Sequence, residues 1–221
     1  MNALALGSGL IIFDCDGVVV DSEMLACRTL AEVLRRYSVP VDLDEIFERF
    51  LGRSFAVVEA HYRAVRGEPM PARFREDYGA ALAEAYRASL RPMPHVEDVL
   101  SGLGRPYCLA SSSGPDRIRL TLHVTRLAAY FGERVYSAEM AARGKPAPDL
   151  FLLVAERMGV PPAEALVVED SVSGVTAAKA AGMTVWGFTG GSHCVGREIG
   201  SQLLAAGADR VFSSMRDFDA G

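Results

Sequence analysis

Leu10-Ile11-Ile12-Phe13-Asp14-Cys15-Asp16-Gly17-Val18-Val19-Val20-Asp21-Ser22-Glu23 is the stretch from which the rest of the chain can be read. Leu10 to Phe13 is apolar without alternation, the pattern of a strand buried on both faces. It stops at two carboxylates, Asp14 and Asp16, and then at Gly17, a residue free to make a sharp turn. Side chains at i and i+2 of an extended chain leave on the same side, so the two acids converge just past the strand's end. Like charges held that close repel unless a cation or proton lies between them. Mg2+, a hard ion that takes carboxylate and phosphate oxygens, is the natural occupant. The competing reading is a polar turn that merely closes a strand, and the later segments decide between the two.

At 221 residues the chain has room for one domain, or for one domain with an insertion. Half of its residues are hydrophobic and 23% are charged, the balance of a soluble globular protein. A net charge of −5 gives no support to a nucleic-acid partner or an anionic membrane. Met1 to Leu6 has no basic region and no long apolar core, so it does not read as a signal peptide. No apolar run approaches the length of a membrane span. Cys15, Cys27, Cys108 and Cys194 form no CxxC pair and no metal-finger spacing. Cys15 and Cys108 read as small core residues, and a reducing cytoplasm fits. Of the 23 basic residues only Lys145 and Lys179 are lysine, so each stands out against a strong arginine bias.

After Ser22 the pattern turns helical for about seventy residues. Met24-Leu25, Leu30, Val33-Leu34 and Tyr37 mark a first helix, ended by Pro40, and Asp42 or Asp44 can cap the next. Ile46 to Leu51 continues it, Gly52-Arg53-Ser54 is a loop with a capping serine, and Phe55 to Val65 and Phe74 to Leu90 are two further amphipathic faces. Residues 22–91 are therefore expected to be a helical insert. Pro92-Met93-Pro94 marks its end, and strand and helix patterns alternate beyond it. Strands are expected at Tyr107 to Ala110, Arg134 to Ser137, Leu166 to Val168, Thr184 to Phe188 and Val211-Phe212. Helices are expected at Pro115 to Val124, Pro148 to Met158, Val172 to Ala181 and near Arg197 to Ala205. Such alternation predicts an α/β fold, a Rossmann-like, doubly wound parallel sheet, with 1–21 and 92–221 as its core.

In such sheets ligands bind outside the carboxyl ends of the strands, and the polar signals fall there. Asp14 and Asp16 end the first strand, Ser111-Ser112-Ser113-Gly114 the second, and Glu169-Asp170-Ser171 the strand at Leu166, while Gly144-Lys145-Pro146 precedes a helix. Singly, each has an ordinary explanation: a capped loop, a solvated lysine, two acids at a helix start. Taken together they resemble the four motifs of the haloacid dehalogenase superfamily. The matching segments are the Asp14-Cys15-Asp16-Gly17 stretch, the apolar run ending in Ser111, Gly144-Lys145-Pro146-Ala147-Pro148-Asp149, and Val167 through Gly174. The insert after the first motif is similar to the small helical cap of the sugar-phosphatase and β-phosphoglucomutase branch. Phe13-Asp14-Cys15-Asp16-Gly17 and Val20-Asp21-Ser22-Glu23, with Arg49-Phe50-Leu51-Gly52 in the cap, look most like bacterial sugar phosphatases, including the 6-phosphogluconate type.

The resemblance implies roles for these residues. Asp14 would be the nucleophile that becomes an aspartyl-phosphate, and Asp16 the general acid and then base. Asp14, the backbone carbonyl of Asp16, and Asp170 would hold Mg2+, with Glu169 assisting. Ser111 would bind a phosphoryl oxygen, and Lys145 would bring its charge to phosphate and to Asp14. Ser112, Arg49 and Arg53 are the candidates for substrate contact, and the cap would close over the substrate. An acid at Asp16 is missing from the superfamily's dehalogenases, whose leaving halide needs no proton, and a cap lysine of the phosphonate hydrolases is missing here. His61, His95 and His123 fall in helical patterns and read as structural. His193 lies in a loop that could reach the site, without an expected catalytic role. The implied activity is Mg2+-dependent hydrolysis of a small phosphorylated metabolite, a sugar or sugar-acid phosphate, by a cytoplasmic monomer. A β-phosphoglucomutase is the second reading; those mutases carry a hinge histidine where this chain has Ala26. A non-catalytic binding protein is the third, and it is weakened because nucleophile, acid, lysine and metal ligands are all present.

Overall fold

The computed structural model describes residues 9–53 and 55–219. The readings of Met1 to Leu6 and of Ser54 as a helix cap lie outside the described residues. The chain divides into two compact units, one running up to Asp21 and resuming at Arg91, the other Ser22–Leu90.

Among the described residues the first unit is built on six strands: β1 (Leu10–Phe13), β2 (Tyr107–Ser111), β3 (Val135–Ser137), β4 (Ala165–Glu169), β5 (Thr184–Phe188) and β6 (Arg210–Phe212). They form one sheet in the order β3-β2-β1-β4-β5-β6, every pair parallel. The order reverses at β1: Ile12 pairs with Cys108 of β2 on one side and with Val167 of β4 on the other. That is the switch point at which a doubly wound sheet leaves a crevice. The Rossmann-like α/β fold expected from the strand and helix alternation is present.

The second unit holds α1 (Glu23–Arg36), α2 (Leu43–Arg49), α3 (Phe55–Arg66) and α4 (Ala72–Ser89). Its own core gathers Leu30 and Leu34 of α1, Ile46 of α2, Val58 and Tyr62 of α3 and Phe74 of α4. Asp42 rather than Asp44 caps α2, its carboxylate accepting from Glu45 N at 2.8 Å. Tyr37 donates to Asp77 at 2.7 Å and ties the end of α1 to α4.

The remaining helices belong to the sheet unit: α5 (Val96–Gly102), α6 (Pro115–Val124), α7 (Ala128–Phe131), α8 (Asp149–Met158), α9 (Val172–Ala180) and α10 (Ile199–Ala205). Alternate residues of β1 serve opposite faces of the sheet. Leu10 and Ile12 join Leu150, Phe151 and Val154 of α8 and Val175 and Ala178 of α9. Phe13 meets the rings of Tyr107 and Phe218. Each such side chain, fully buried, contributes about 1.5–3 kcal/mol, and a strand with no polar face needs cover on both sides. The short α5 and α7 were not expected, because seven and four residues are too few to display a helical period. His95, expected within a helix, stands just before α5 in a left-handed conformation, φ 66°. Among the described residues no helix is long and apolar enough to cross a membrane.

Candidate active site

Because all six strands are parallel, their carboxyl ends share one rim, and the chemistry-bearing residues follow from that. Asp14 comes directly after β1, Ser111 ends β2, and Glu169 ends β4 with Asp170 next. The backbone ladder continues to Asp14, whose N–H donates to Val168 O at 3.0 Å. The chain then turns: Val19 N and Val20 N donate to Cys15 O at 3.0 and 3.1 Å, and Gly17 N donates to Val20 O at 2.8 Å. Gly17 has φ 79°, and a Cβ there would come within 1.7 Å of Asp170 Oδ2. Glycine is thus required twice at this position, for the turn and for the approach of a carboxylate.

Lys145, from the loop before α8, is the centre of the site's electrostatics. Its Nζ donates to Asp14 Oδ1 at 2.6 Å, to Glu169 Oε1 at 2.6 Å and to Ala110 O at 3.2 Å. An ammonium has three N–H donors, and each meets an acceptor. The side chain is 3% exposed, and Nζ lies 5.0 Å from the centre of the Phe151 ring. Burial pulls the ammonium's pKa down, but the Asp14 and Glu169 carboxylates outweigh it and hold the value above that of a free lysine.

Glu169 is fully engaged. Its Oε1 accepts from Lys145, and its Oε2 accepts from Ser171 N at 3.1 Å and Ser171 Oγ at 2.9 Å. The same Ser171 Oγ accepts from Gly174 N at 3.0 Å and caps α9. A Cβ at Gly174 would fall 1.8 Å from Glu169 Oε1, so the glycine three residues past Ser171 makes room for the carboxylate. The run from Glu169 to Gly174 therefore forms one structural unit.

Asp14, Glu169 and Asp170 each bring a carboxylate oxygen to within 4.8 Å of one another. Burial raises the Asp14 carboxyl well above the ordinary range; Lys145 opposes this, and the charges of Glu169 and Asp170 add to it. Asp170 is raised too, by burial first and against the pull of a hydrogen bond from His193. Three buried acids around one lysine leave an excess of negative charge held by hard oxygen donors, and those are the conditions a hard dication satisfies.

His193, for which no catalytic role was expected, joins this cluster. It is 2% exposed, its Nε2 lies 3.1 Å from Asp170 Oδ2, and Cys194 Sγ is 3.1 Å from the same nitrogen. Burial lowers the imidazole's pKa, but Asp170 and Cys194 hold it up at about 11. Its loop is anchored by Ser192, whose N and Oγ donate to Asp21 Oδ1 at 2.9 and 2.7 Å. Cys15 sits between the two motif aspartates, buried, its thiol pushed up by desolvation and by their charges.

Asp16, expected from its spacing to converge with Asp14, faces different company: its carboxylate stands outside the cluster of Asp14, Glu169 and Asp170 because Ser113 and Arg117 hold it. Ser113 Oγ donates to its Oδ2 at 2.8 Å and Arg117 Nη2 to its Oδ1 at 3.0 Å. Ser111 is buried and its Oγ accepts from Ser113 N at 3.0 Å, while Ser112 is exposed in the loop between them. Sequence reading had no signal for Arg117, one arginine among 21. Arg49 and Arg53 belong to the helical unit, where both are exposed and Arg49 Nε pairs with Glu45 at 3.0 Å.

Comparison with known proteins places this arrangement. The family described as haloacid dehalogenase-like hydrolase matches residues 9–182. The probable pseudouridine-5'-phosphatase of Drosophila melanogaster is 36% identical over 220 residues, covering 94% of this chain and 90% of its own. The 6-phosphogluconate phosphatase of Escherichia coli is 27% identical over 184 residues, covering 83% of each. Among solved structures, a hydrolase of the same family from Deinococcus radiodurans, with bound phosphate and sodium, superposes with a TM-score of 0.77. It is 31% identical, over 96% of this chain and 93% of that one.

Proposed function

The chain belongs to the haloacid dehalogenase-like hydrolases, and we propose that it is a Mg2+-dependent phosphatase of a small phosphorylated sugar or sugar acid, acting through an aspartyl-phosphate. One observation carries this reading. Asp14 and Asp16 leave the same strand end for opposite surroundings, Asp14 against Lys145 in the acid cluster and Asp16 against Ser113 and Arg117. Two carboxylates with separate partners can hold separate roles, nucleophile and proton carrier.

In the first step an Asp14 oxygen forms a bond to phosphorus and the ester P–O bond breaks, its electron pair staying with the leaving oxygen. Asp16 gives that oxygen its proton, which a sugar alkoxide needs in order to leave. In the second step water attacks the phosphorus of the aspartyl-phosphate, Asp16 takes the water's proton, and Asp14 and inorganic phosphate are released. Lys145 keeps Asp14 oriented and presents positive charge to the phosphoryl oxygens, and Ser111 is positioned to donate its hydroxyl to one of them. Asp14, Asp170, the carbonyl of Asp16 and Glu169 are the groups proposed to hold Mg2+, with Glu169 already committed to Lys145 and Ser171. When bound, the ion supplies charge neutralisation to the transferring phosphoryl group.

Ala26 supports hydrolysis over mutase chemistry, since it offers neither a hydrogen bond nor a charge at the hinge position. Phosphate release from a panel of phosphorylated sugars and sugar acids, with Mg2+ and with EDTA, tests the assignment. Metal-dependent turnover of at least one is expected; silence across the panel would overturn it.

A further inference from the structure

Both oxygens of Asp16 are gripped from one short segment, Ser113 to Arg117. Arg117 is the third residue of α6, which opens at Pro115 after Gly114, so the start of the helix fixes its spacing from Ser113. Ser113 is itself held: its N–H donates to Ser111 Oγ at 3.0 Å, and its carbonyl accepts from Ser137 Oγ at 2.8 Å. Gly114 is closed in by Glu139, whose Oε1 would lie 2.6 Å from a Cβ added there. Asp16 is therefore fixed against a frame made of the ends of β2 and β3 and the first turn of α6.

We propose that Arg117 is a positioning residue for Asp16: together with Ser113 it sets the rotation of the carboxylate so that the proton passes to the ester oxygen. The inference rests on the phosphatase reading above. The rival role for an arginine beside such a site is to bind the substrate's phosphate, and the two differ in chemistry. A misplaced acid hurts in proportion to how much the leaving group needs a proton, whereas a lost phosphate contact hurts every ester alike. A sugar alkoxide cannot depart unprotonated; 4-nitrophenolate can. The value of kcat/KM reports only as far as the first irreversible step, here expulsion of the leaving group.

The test compares kcat/KM, with Mg2+ present, for two kinds of ester in the parent protein and in Arg117→Met, Arg117→Lys and Ser113→Ala. One is 4-nitrophenyl phosphate. The other is whichever of 6-phosphogluconate, fructose 1-phosphate and glucose 6-phosphate the parent turns over fastest. Arg117→Met is expected to lose about 10²-fold on the sugar phosphate and less than about 3-fold on the aryl ester. Arg117→Lys should recover part of the loss, and Ser113→Ala should show the same ordering. The Arg117 side chain is 32% exposed, so its replacement leaves the core intact, and Ser113→Ala carries the test by itself if the arginine variants fold poorly. Equal losses on both esters would overturn the inference in favour of phosphate binding, and no loss on either would reduce the pair to an idle contact. A parent protein silent on all the esters would overturn the phosphatase reading, and this inference with it.

Discussion

Replacing Lys145 by methionine keeps the length and apolar stem of the side chain and removes only its charge and three donors. In the native site that charge faces Asp14 and Glu169, each at 2.6 Å, with almost no solvent access. Breaking one buried pair costs about 3–5 kcal/mol, mostly the penalty of the charge left behind. Here two carboxylates lose their partner at once, with Asp170 beside them; partial proton uptake by the cluster offsets some of the second loss. A net destabilisation of about 3–5 kcal/mol in the metal-free protein follows. At about 2–4 °C per kcal/mol for a chain of this size, the thermal midpoint should fall by roughly 6–20 °C. The assay is thermal unfolding in EDTA, followed by circular dichroism, repeated with excess Mg2+. Added Mg2+ should narrow the gap between variant and parent by neutralising the same carboxylates, while phosphate release stays absent. A second change, Glu169→Gln in the Lys145→Met background, should recover part of the stability. If Lys145→Met melted within about 1 °C of the parent in EDTA, less than the shift of a single kcal/mol, the lysine would not be the counter-charge on which this site depends.

Other outcomes follow from the same geometry. Asp14→Asn should abolish phosphate release and yet leave the metal-free protein as stable as the parent or more so, since it removes a charge whose burial is costly; calorimetry in EDTA checks this. Asp14 and Asp170 both have folded pKa values above their unfolded ones, so their contribution to stability is full below the ordinary carboxylate range, about 4, and is lost as pH rises through the raised values. Unfolding in EDTA should therefore show the parent losing stability with rising pH more steeply than an Asp14→Asn, Asp170→Asn double variant. Asp170→Ala should weaken Mg2+ binding in calorimetric titration, and an unchanged affinity would move the ligand elsewhere. Gly174→Ala places a methyl 1.8 Å from Glu169 Oε1, which should displace the anchor of Lys145 and cost at least about 10-fold in kcat/KM, or about 1.4 kcal/mol of transition-state stabilisation. With glucose 1-phosphate and a trace of the bisphosphate, inorganic phosphate should form faster than glucose 6-phosphate, as coupled assays for each product would report.

The parts of this protein legible in the sequence are those that local pattern encodes. Leu10 to Phe13, Leu166 to Val168 and Thr184 to Phe188 are too apolar to be anything but covered strands, and the order of strands and helices implied the parallel sheet. Parallel strands then bring their carboxyl ends to one rim, so Asp14, Ser111 and Glu169 are expected near one another from the sequence alone. What local pattern does not encode is which side chain satisfies which across the rim. Asp16 and Arg117 are 101 residues apart, and nothing distinguishes Arg117 from the other arginines until α6 is set beside the first turn. His193 reaches Asp170 because its loop is tied to Asp21, a contact spanning most of the chain. Glu169 read as one of two acids near a metal; that its oxygens also accept from Lys145 and Ser171 is settled only in three dimensions. The glycines at 17 and 174 looked like turn and helix residues, and the space they leave for Asp170 and Glu169 is a tertiary fact.

The central claim, that Asp14 accepts the phosphoryl group and Asp16 carries the proton, is tested most directly in Asp16→Asn with 4-nitrophenyl phosphate and Mg2+. The leaving group needs no acid, so the first step should proceed, and the second should stall for want of a base. A burst of one 4-nitrophenolate per enzyme is expected, with mass spectrometry of the acid-quenched protein placing one phosphoryl group on Asp14. Steady turnover without a burst, or a phosphoryl group on any other residue, would contradict it.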